Sequence, residues 1–285
     1  LIPAIDLEHF FGGYIAKLNL ALRLAERGRR VRVVTVDPQP PLPPSWREQI
    51  ESYSGLSGLF DRVELEFGRG AGSGIEVNSA DSFIASTWWS ALIAGDGVRA
   101  LGRERFVYMI QEYEPFTFPM GTYAALAQGS YELPHSALFS SELLRDWFRW
   151  QRLGVYAGGD GAGDASSASF ENAITAVSTP AAAELAARNM FELGVLALSR
   201  ALEEGAFQRG WELRGIGTVE SGRRIALSGD AQLELLPRAD QREYARVLAE
   251  HDLGLALMYT PHPSLVPIEM AAAGMLVVTN SFANK

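Results

Sequence analysis

At 285 residues the chain exceeds what most single hydrophobic cores support, and its 47% hydrophobic and 21% charged residues fit two folded domains better than a disordered or fibrous protein. A formal net charge of -9 excludes a broad nucleic-acid-binding surface, which needs a Lys/Arg excess to neutralise phosphates. The absence of cysteine excludes disulfides, thiolate metal sites and cysteine nucleophiles, and no run approaches the ~18 apolar residues of a membrane span.

Leu1 to Asp6 reads as a short apolar strand, followed by Gly12-Gly13 and a helix over Tyr14 to Arg27 with apolar residues at Ile15, Leu18, Leu22 and Ala25. Gly28 stops that helix, Val31 to Val36 reads as a buried strand, and Asp37 leads into the proline-rich Pro38 to Pro44. The chain thus opens on a βαβ unit. Trp46 to Gly74 is irregular, with one strand at Val63 to Phe67. Strands then follow at Ser82 to Thr87, Phe106 to Ile110 and Ser136 to Ser140, with helices from Trp88, over Tyr123 to Tyr131, and over Glu142 to Trp150 behind Ser141 as N-cap.

Gly158 to Ser169, GGDGAGDASSAS, offers little apolar surface to bury and reads as an inter-domain linker or a disordered loop. Alternation resumes with a strand at Ala173 to Ser178, a long helix or helix pair over Ala181 to Glu203, and strands at Trp211 to Ile216 and Ile225 to Ser228. A helix over Gln241 to Glu250 capped by Asp240 and a strand at Leu253 to Met258 follow. A short helix after Pro261 and a strand over Met275 to Asn280 close the chain. The expected organisation is an N-terminal α/β lobe over residues 1–157, a linker over 158–170 and a C-terminal α/β lobe over 171–285, with a cleft between the lobes. The start without Met inside a strand, and the stop after a strand with no closing helix, suggest that both ends of a longer protein are absent and the second lobe is incomplete.

Ligands of open α/β sheets bind beyond the carboxyl ends of the strands, so the loops there carry the candidate chemistry. Gly12 and Gly13 permit close approach of backbone to a ligand, or simply make a tight turn. Asp37 is placed to meet a ribose, but the absence of GxGxxG argues against a nicotinamide enzyme. Glu112 and Glu114 follow the strand Phe106 to Ile110; on an extended segment both face one side and can relay a proton, the alternative being a solvated acidic turn. Arg188 and Asn189 suit a diphosphate if a helix starts there; otherwise Arg188 is an exposed helix arginine. His262, between prolines, suits hydrogen bonding to a sugar or phosphate better than metal ligation, because no second ligand stands at metal-site spacing. Ser264, Leu265 and Val266 open the last helix, whose N-terminus offers unpaired N–H groups and a positive dipole end, and Glu269 is expected in its first turn, facing a ligand.

In order along the chain, HFFGGYIAKLNLALRLAERGRRVRVV, FIASTWWSA, QEYEP within FVYMIQEYEPFTFPM, RNMFELGVLAL and MYTPHPSLVPIEMAAAGMLVVTN resemble the GT-B glycosyltransferases, and within family 4 its rhamnosyltransferase-like group. The resemblance implies two Rossmann-like lobes, the first binding acceptor and the second a nucleoside-diphosphate sugar such as dTDP-rhamnose. It implies transfer with retention to a hydroxyl of a glycan or polysaccharide, no metal and no cofactor beyond the co-substrate. A cytoplasmic enzyme follows, held at the inner face of the membrane through a lipid-linked acceptor. Carried over, Glu269 contacts the nucleotide ribose and the donor contacts include Gly12, Gly13, Arg188, Asn189, Ser264, Leu265 and Val266, leaving Glu112, Glu114 and His262 as catalytic candidates. Two positions depart from the pattern: Pro261 stands where a second glutamate is expected, and Thr179 where an arginine is expected. The alternatives are a non-catalytic nucleotide-sugar-binding protein derived from such an enzyme, and a GT-B sugar-nucleotide epimerase.

Overall fold

The computed structural model describes the whole chain except residues 8–9, 11, 70–73, 172–188, 208–209, 217–221, 238, 263 and 284. It divides into two compact units, Leu1–Asn172 and Ala173–Ala283.

The first unit is a parallel α/β sheet. Helix α1 (Gly12–Glu26) buries Leu18, Ala21 and Leu22 and ends before Gly28, whose φ of 78° is the left-handed turn that stops a helix. Strand β1 (Val31–Thr35) pairs in parallel with β2 (Val63–Phe67), in register Val31↔Val63 to Thr35↔Phe67, after two short helices, α2 (Trp46–Glu51) and α3 (Leu59–Arg62). Strands β3 (Ile84–Ala85), β4 (Phe106–Ile110), β5 (His135–Phe139) and β6 (Ser167–Ser169) form a second parallel run in that order.

Residues Leu1 and Ile2 join the two runs. Ile2 bridges to Thr35, donating to Val34 O at 3.0 Å, and the Leu1 nitrogen donates to Ile84 O at 2.6 Å. The strand predicted over Leu1 to Asp6 is therefore a single bridge, but it gives the order β2, β1, first segment, β3, β4, β5, β6. Connections run outward in opposite directions from the line between the first segment and β3, which is the switch point of a doubly wound sheet.

Helix α4 (Trp88–Ala100) starts on a capping box: the Thr87 hydroxyl accepts from Ser90 N at 3.3 Å and the Ser90 hydroxyl accepts from Thr87 N at 2.9 Å. Helix α5 (Thr122–Ser130) precedes β5, and α6 (Glu142–Gln151) starts on Ser141, whose hydroxyl accepts from Leu144 N at 3.1 Å as the sequence predicts. Ala85, Tyr108, Tyr131, Phe139, Leu144, Phe148 and Tyr156 fill the core beneath β3 to β6, and Ile5, Phe10, Leu18, Leu22, Val33, Ile50 and Leu59 fill the core around α1 and β1.

The glycine- and serine-rich stretch is neither linker nor disordered loop. It forms α7 (Asp160–Ala165) and strand β6, which pairs with β5 through Ala137↔Ser167 to Phe139↔Ser169. Its glycine serves close packing: a β-carbon on Gly163 would stand 2.0 Å from Tyr156 Cδ1. Its polar residues tie it down, since Tyr156 OH donates to Asp164 at 2.9 Å and Arg145 and Arg149 pair with Asp164 at 3.0 and 2.6 Å. Composition misleads here because a buried tyrosine on the neighbouring segment supplies the apolar surface the stretch lacks.

In the second unit, helix α8 (Phe191–Glu203) lies over a three-stranded sheet of order β7 (Leu213–Gly215), β9 (Gln232–Leu235), β8 (Arg224–Ala226), its Val195, Leu198 and Leu202 packing on Leu227, Leu233 and Leu235. Strand β8 is antiparallel to β9 across a turn at Gly229, φ 69°, so the strand expected at Ile225 to Ser228 is one arm of a hairpin. Helix α9 (Gln241–Ala249) is capped by Asp240, which accepts from Glu243 N at 2.9 Å. Strand β10 (Leu253–Ala256) leads to α10 (Leu265–Ala272) and to the parallel β11 (Leu276–Thr279). The strand predicted at Ala173 to Ser178 and residues 181–188 of the long helix or helix pair predicted over Ala181 to Glu203 lie outside the described residues, while α8 occupies Phe191–Glu203 of that prediction.

Candidate functional site

In the first unit the carboxyl ends of the first segment, β1, β3 and β4 bring together the start of α1, Asp37, the start of α4 and the loop from Gln111. Helix α1 starts at Gly12, so Gly12 and Gly13 are its first turn and not a preceding loop, and their N–H groups belong to the unpaired first turn of a helix. A β-carbon on Gly13 would lie 3.6 Å from Gln111 Oε1, so the Gln111 amide stands against that turn. Ser140 holds the Gln111 carbonyl at 2.7 Å, and Asp37 accepts from Trp89 Nε1 at 3.2 Å.

Glu112 and Glu114 do not share a face of an extended segment. Strand β4 ends at Ile110, and Pro115, favoured at the first positions of a helical turn, starts a 3-10 turn over Glu114–Thr117. Glu114 is 8% exposed, and its Oε2 accepts from the backbone N–H of Trp88 at 2.8 Å, at the positive end of α4. Its own N–H donates to Tyr131 OH at 3.1 Å. This carboxylate is held by a helix terminus, which suits fixing the loop better than shuttling a proton. Glu112 is half-buried, and both carboxylates act electrostatically on Lys17 of α1.

Lys17 was not singled out in the sequence. Its Nζ lies 5.2 Å from the centroid of the Tyr14 ring, and Tyr14 OH donates to Ala4 O at 2.8 Å. Burial lowers the Lys17 pKa to about 8, the Glu114 and Glu112 charges opposing that fall. A signal was present: Lys17 and Lys285 are the two lysines of a chain whose other cationic side chains are arginines, and Lys17 follows the Gly-Gly pair by one helical turn. Trp88, nine-tenths buried, keeps its Nε1–H without an acceptor among the described residues, and its ring meets Trp89, Phe118 and Tyr123 at centroid distances of 5.5, 6.3 and 6.2 Å.

In the second unit the candidate residues surround the start of α10. Ser264 is the N-cap, buried, yet its side chain makes no capping hydrogen bond. The first-turn N–H groups of Leu265 and Val266 therefore have no serine acceptor, and Pro267 contributes none. His262 is half-buried in the loop just before. Asn280 fastens the end of β11 to the loop after β10, its Oδ1 accepting from Met258 N at 2.8 Å and its Nδ2 donating to Met258 O at 3.2 Å. Close packing of α10 on β10 requires Gly254, where a β-carbon would stand 2.5 Å from Met270 Sδ.

Glu269 lies in the second turn of α10 and not the first, because Ser264, five residues earlier, is the cap. It is 5% exposed and accepts from Tyr244 OH of α9 at 3.3 Å. Tyr244 is a partner that sequence spacing across 25 residues does not reveal; burial and the Glu269 charge raise its pKa well above the usual phenol range. Asn189 sits before α8, which starts at Phe191 after Met190 in a left-handed conformation, φ 47°. The Asn189 Oδ1 is buried without a hydrogen-bond partner among the described residues. Arg188 and Thr179 lie outside the described residues. Of the remaining histidines in described segments, His251 contacts the Val247 carbonyl at 2.6 Å through Nδ1 at the end of α9, and His135 contacts the Leu133 carbonyl in the same way at 2.6 Å. Among the described residues no group of three or more His, Asp or Glu is placed to hold a metal ion.

The sequence of each unit is matched by a family. The profile of the WsaF N-terminal domain matches residues 1–142 and that of the WsaF C-terminal domain matches residues 180–285. The chain carries both WsaF domains, in order. The boundary between its compact units, at Asn172, falls between the two matches. The chain is also 29% identical over 217 residues to the O-antigen biosynthesis protein RfbC of Myxococcus xanthus, an alignment covering 71% of this chain and 16% of that protein. Among the described residues no helix is long and apolar enough to cross a membrane.

Proposed function

We propose that this WsaF chain is a glycosyltransferase of glycan biosynthesis, moving a sugar such as rhamnose from a nucleoside-diphosphate donor to a hydroxyl of a glycan acceptor. The observation that carries this reading is the start of α10, where among the described residues the buried N-cap Ser264 makes no capping hydrogen bond, so that the first-turn N–H groups of Leu265 and Val266 lack a serine acceptor, with Glu269 in the turn above. In this reading those amides and Ser264 meet the donor diphosphate or sugar, Glu269 meets the ribose, and Arg188, Asn189 and His262 complete the donor contacts. The amides act on charge that develops on the leaving diphosphate, which is where fixed donors contribute most.

The first unit takes the acceptor. Gln111 and Lys17 stand at the switch point of its sheet beside Gly12 and Gly13, which this reading moves from the donor contacts expected of them to the acceptor side, and the Trp88 Nε1–H, buried without an acceptor among the described residues, is met by a hydroxyl of the glycan. Glu112 orients that hydroxyl, while Glu114 holds the loop on α4. The match to an O-antigen biosynthesis protein supports a glycan as the product class.

The test is calorimetric titration with dTDP-rhamnose, UDP-glucose and GDP-mannose, followed by turnover of the donor that binds, with and without a rhamnose-terminated oligosaccharide. Binding followed by acceptor-dependent release of nucleoside diphosphate is the expected result. Absence of binding to every nucleotide-sugar sinks the proposal. A second reading, a nucleotide-sugar-binding protein without turnover, is favoured by Pro261 standing in place of the expected glutamate; tight binding with neither hydrolysis nor transfer decides for it.

A further inference from the structure

The glycine-rich stretch that folds onto the first unit also helps to build an open depression of about 410 Å³, lined by Asp146, Arg149, Trp150, Arg152 and Asp160. Helix α6 leaves the carboxyl end of β5 and runs back along the sheet, so this hollow at its far end lies on the amino-terminal side of the strands. All five residues fall between the two family matches, which end at 142 and resume at 180. The hollow is therefore built from residues outside both matched spans.

Its parts are unusual for a solvated helix end. Trp150 is 65% exposed and makes no ring contact or hydrogen bond among the described residues. Arg152 occupies the left-handed region, φ 54° and ψ 45°, at the C-cap of α6, a conformation that favours glycine. Among the described residues its guanidinium has no ion-pair partner, and the Asp160 carboxylate has none either. Arg149, by contrast, is fixed: it pairs with Asp146 and with Asp164 and lies 5.1 Å over the Tyr156 ring. A rigid floor thus carries an exposed indole and two unengaged charges of opposite sign.

We propose that this depression binds a neutral pyranoside of a glycan, its apolar ring face on Trp150, its hydroxyls donating to Asp160 and accepting from Arg152. Neutrality follows from the lining, two arginines and two aspartates, because an anion meets the carboxylates and a cation the guanidinium groups. An apolar partner finds one aromatic side chain among four charged ones. The choice of a glycan rests on the function proposed above, whereas the site itself rests on the geometry.

In the 15N-labelled full chain, the Trp150 indole N–H resonance is assigned by its loss in Trp150→Phe. It should shift saturably on titration with methyl α-L-rhamnopyranoside or methyl α-D-glucopyranoside, with a dissociation constant on the order of millimolar. Arg152→Gly removes the guanidinium and relaxes the left-handed backbone, so it folds at least as well and should weaken binding about tenfold or more. No saturable shift with either glycoside, unchanged affinity in Arg152→Gly, or tighter binding of glucuronate or inorganic phosphate overturns the proposal. The readout is binding and not transfer, so a chain that binds glycosides here yet transfers no sugar refutes the enzyme reading alone.

Discussion

Replacing Glu114 separates a structural carboxylate from a proton-transferring one. Its Oε2 takes the Trp88 N–H at 2.8 Å in a site 8% exposed, where a hydrogen bond to a charged acceptor contributes about 1.5–3 kcal/mol and the positive end of α4 adds about 0.3–1 kcal/mol. Glu114→Ala removes both and leaves the Trp88 N–H buried without a partner, so the first unit should lose about 2–4 kcal/mol. Glu114→Gln keeps an acceptor and loses the charge, and should cost roughly half as much. For a unit of this size, 1 kcal/mol moves the melting temperature by about 2–4 °C, so Glu114→Ala should lower the first thermal transition by roughly 4–16 °C. Differential scanning calorimetry, with tryptophan fluorescence to assign the transition, reads this directly. If Glu114→Gln melts with the parent protein but loses sugar transfer, the carboxylate works in proton transfer and the structural account is wrong.

Glu269→Ala should weaken nucleotide-sugar binding by about 1–3 kcal/mol through loss of a charged hydrogen bond, read by titration; equal affinity would remove Glu269 from the donor site. Folding lowers the Lys17 pKa from 10.5 to about 8, so the unfolded chain holds the extra proton between those values and stability rises with pH across that window. Lys17→Met should remove that rise, up to about 3 kcal/mol, and stabilise the protein at pH 7; urea midpoints from pH 7 to 11 that keep their slope would contradict it. Gly163→Ala, placing a β-carbon 2.0 Å from Tyr156 Cδ1, should destabilise the first unit by about 1–3 kcal/mol, and a melting temperature at or above that of the parent would show that α7 packs otherwise.

Elements with strong local signals were legible in the chain itself. Phe106–Ile110 and Val63–Phe67 stand as the strands their apolar runs predict, and Ser141 and Asp240 cap the helices they precede, because caps and runs are decided by residues within one turn of each other. The order of motifs that resembles a glycosyltransferase, and that matches both WsaF domains, was equally present in the sequence. What local reading missed were features set by a distant partner. Gly158 to Ser169 reads as linker until Tyr156 and β5 cover it, and Gln232–Leu235 needs the hairpin with β8 to be seen as a strand.

The candidate residues divide along the same line. Sequence alone determined that Glu112, Glu114, Ser264 and Glu269 stand near strand or helix ends, since position along an element is a local property. Only the folded chain decided what their side chains meet. Glu114 is turned inward onto the α4 terminus by the Pro115 turn, Glu269 is buried against Tyr244, and buried Lys17 feels the charges of two carboxylates from another loop. Those interactions join residues 25, 26 or nearly a hundred positions apart, and burial that depends on such partners leaves no period or spacing in the sequence to read.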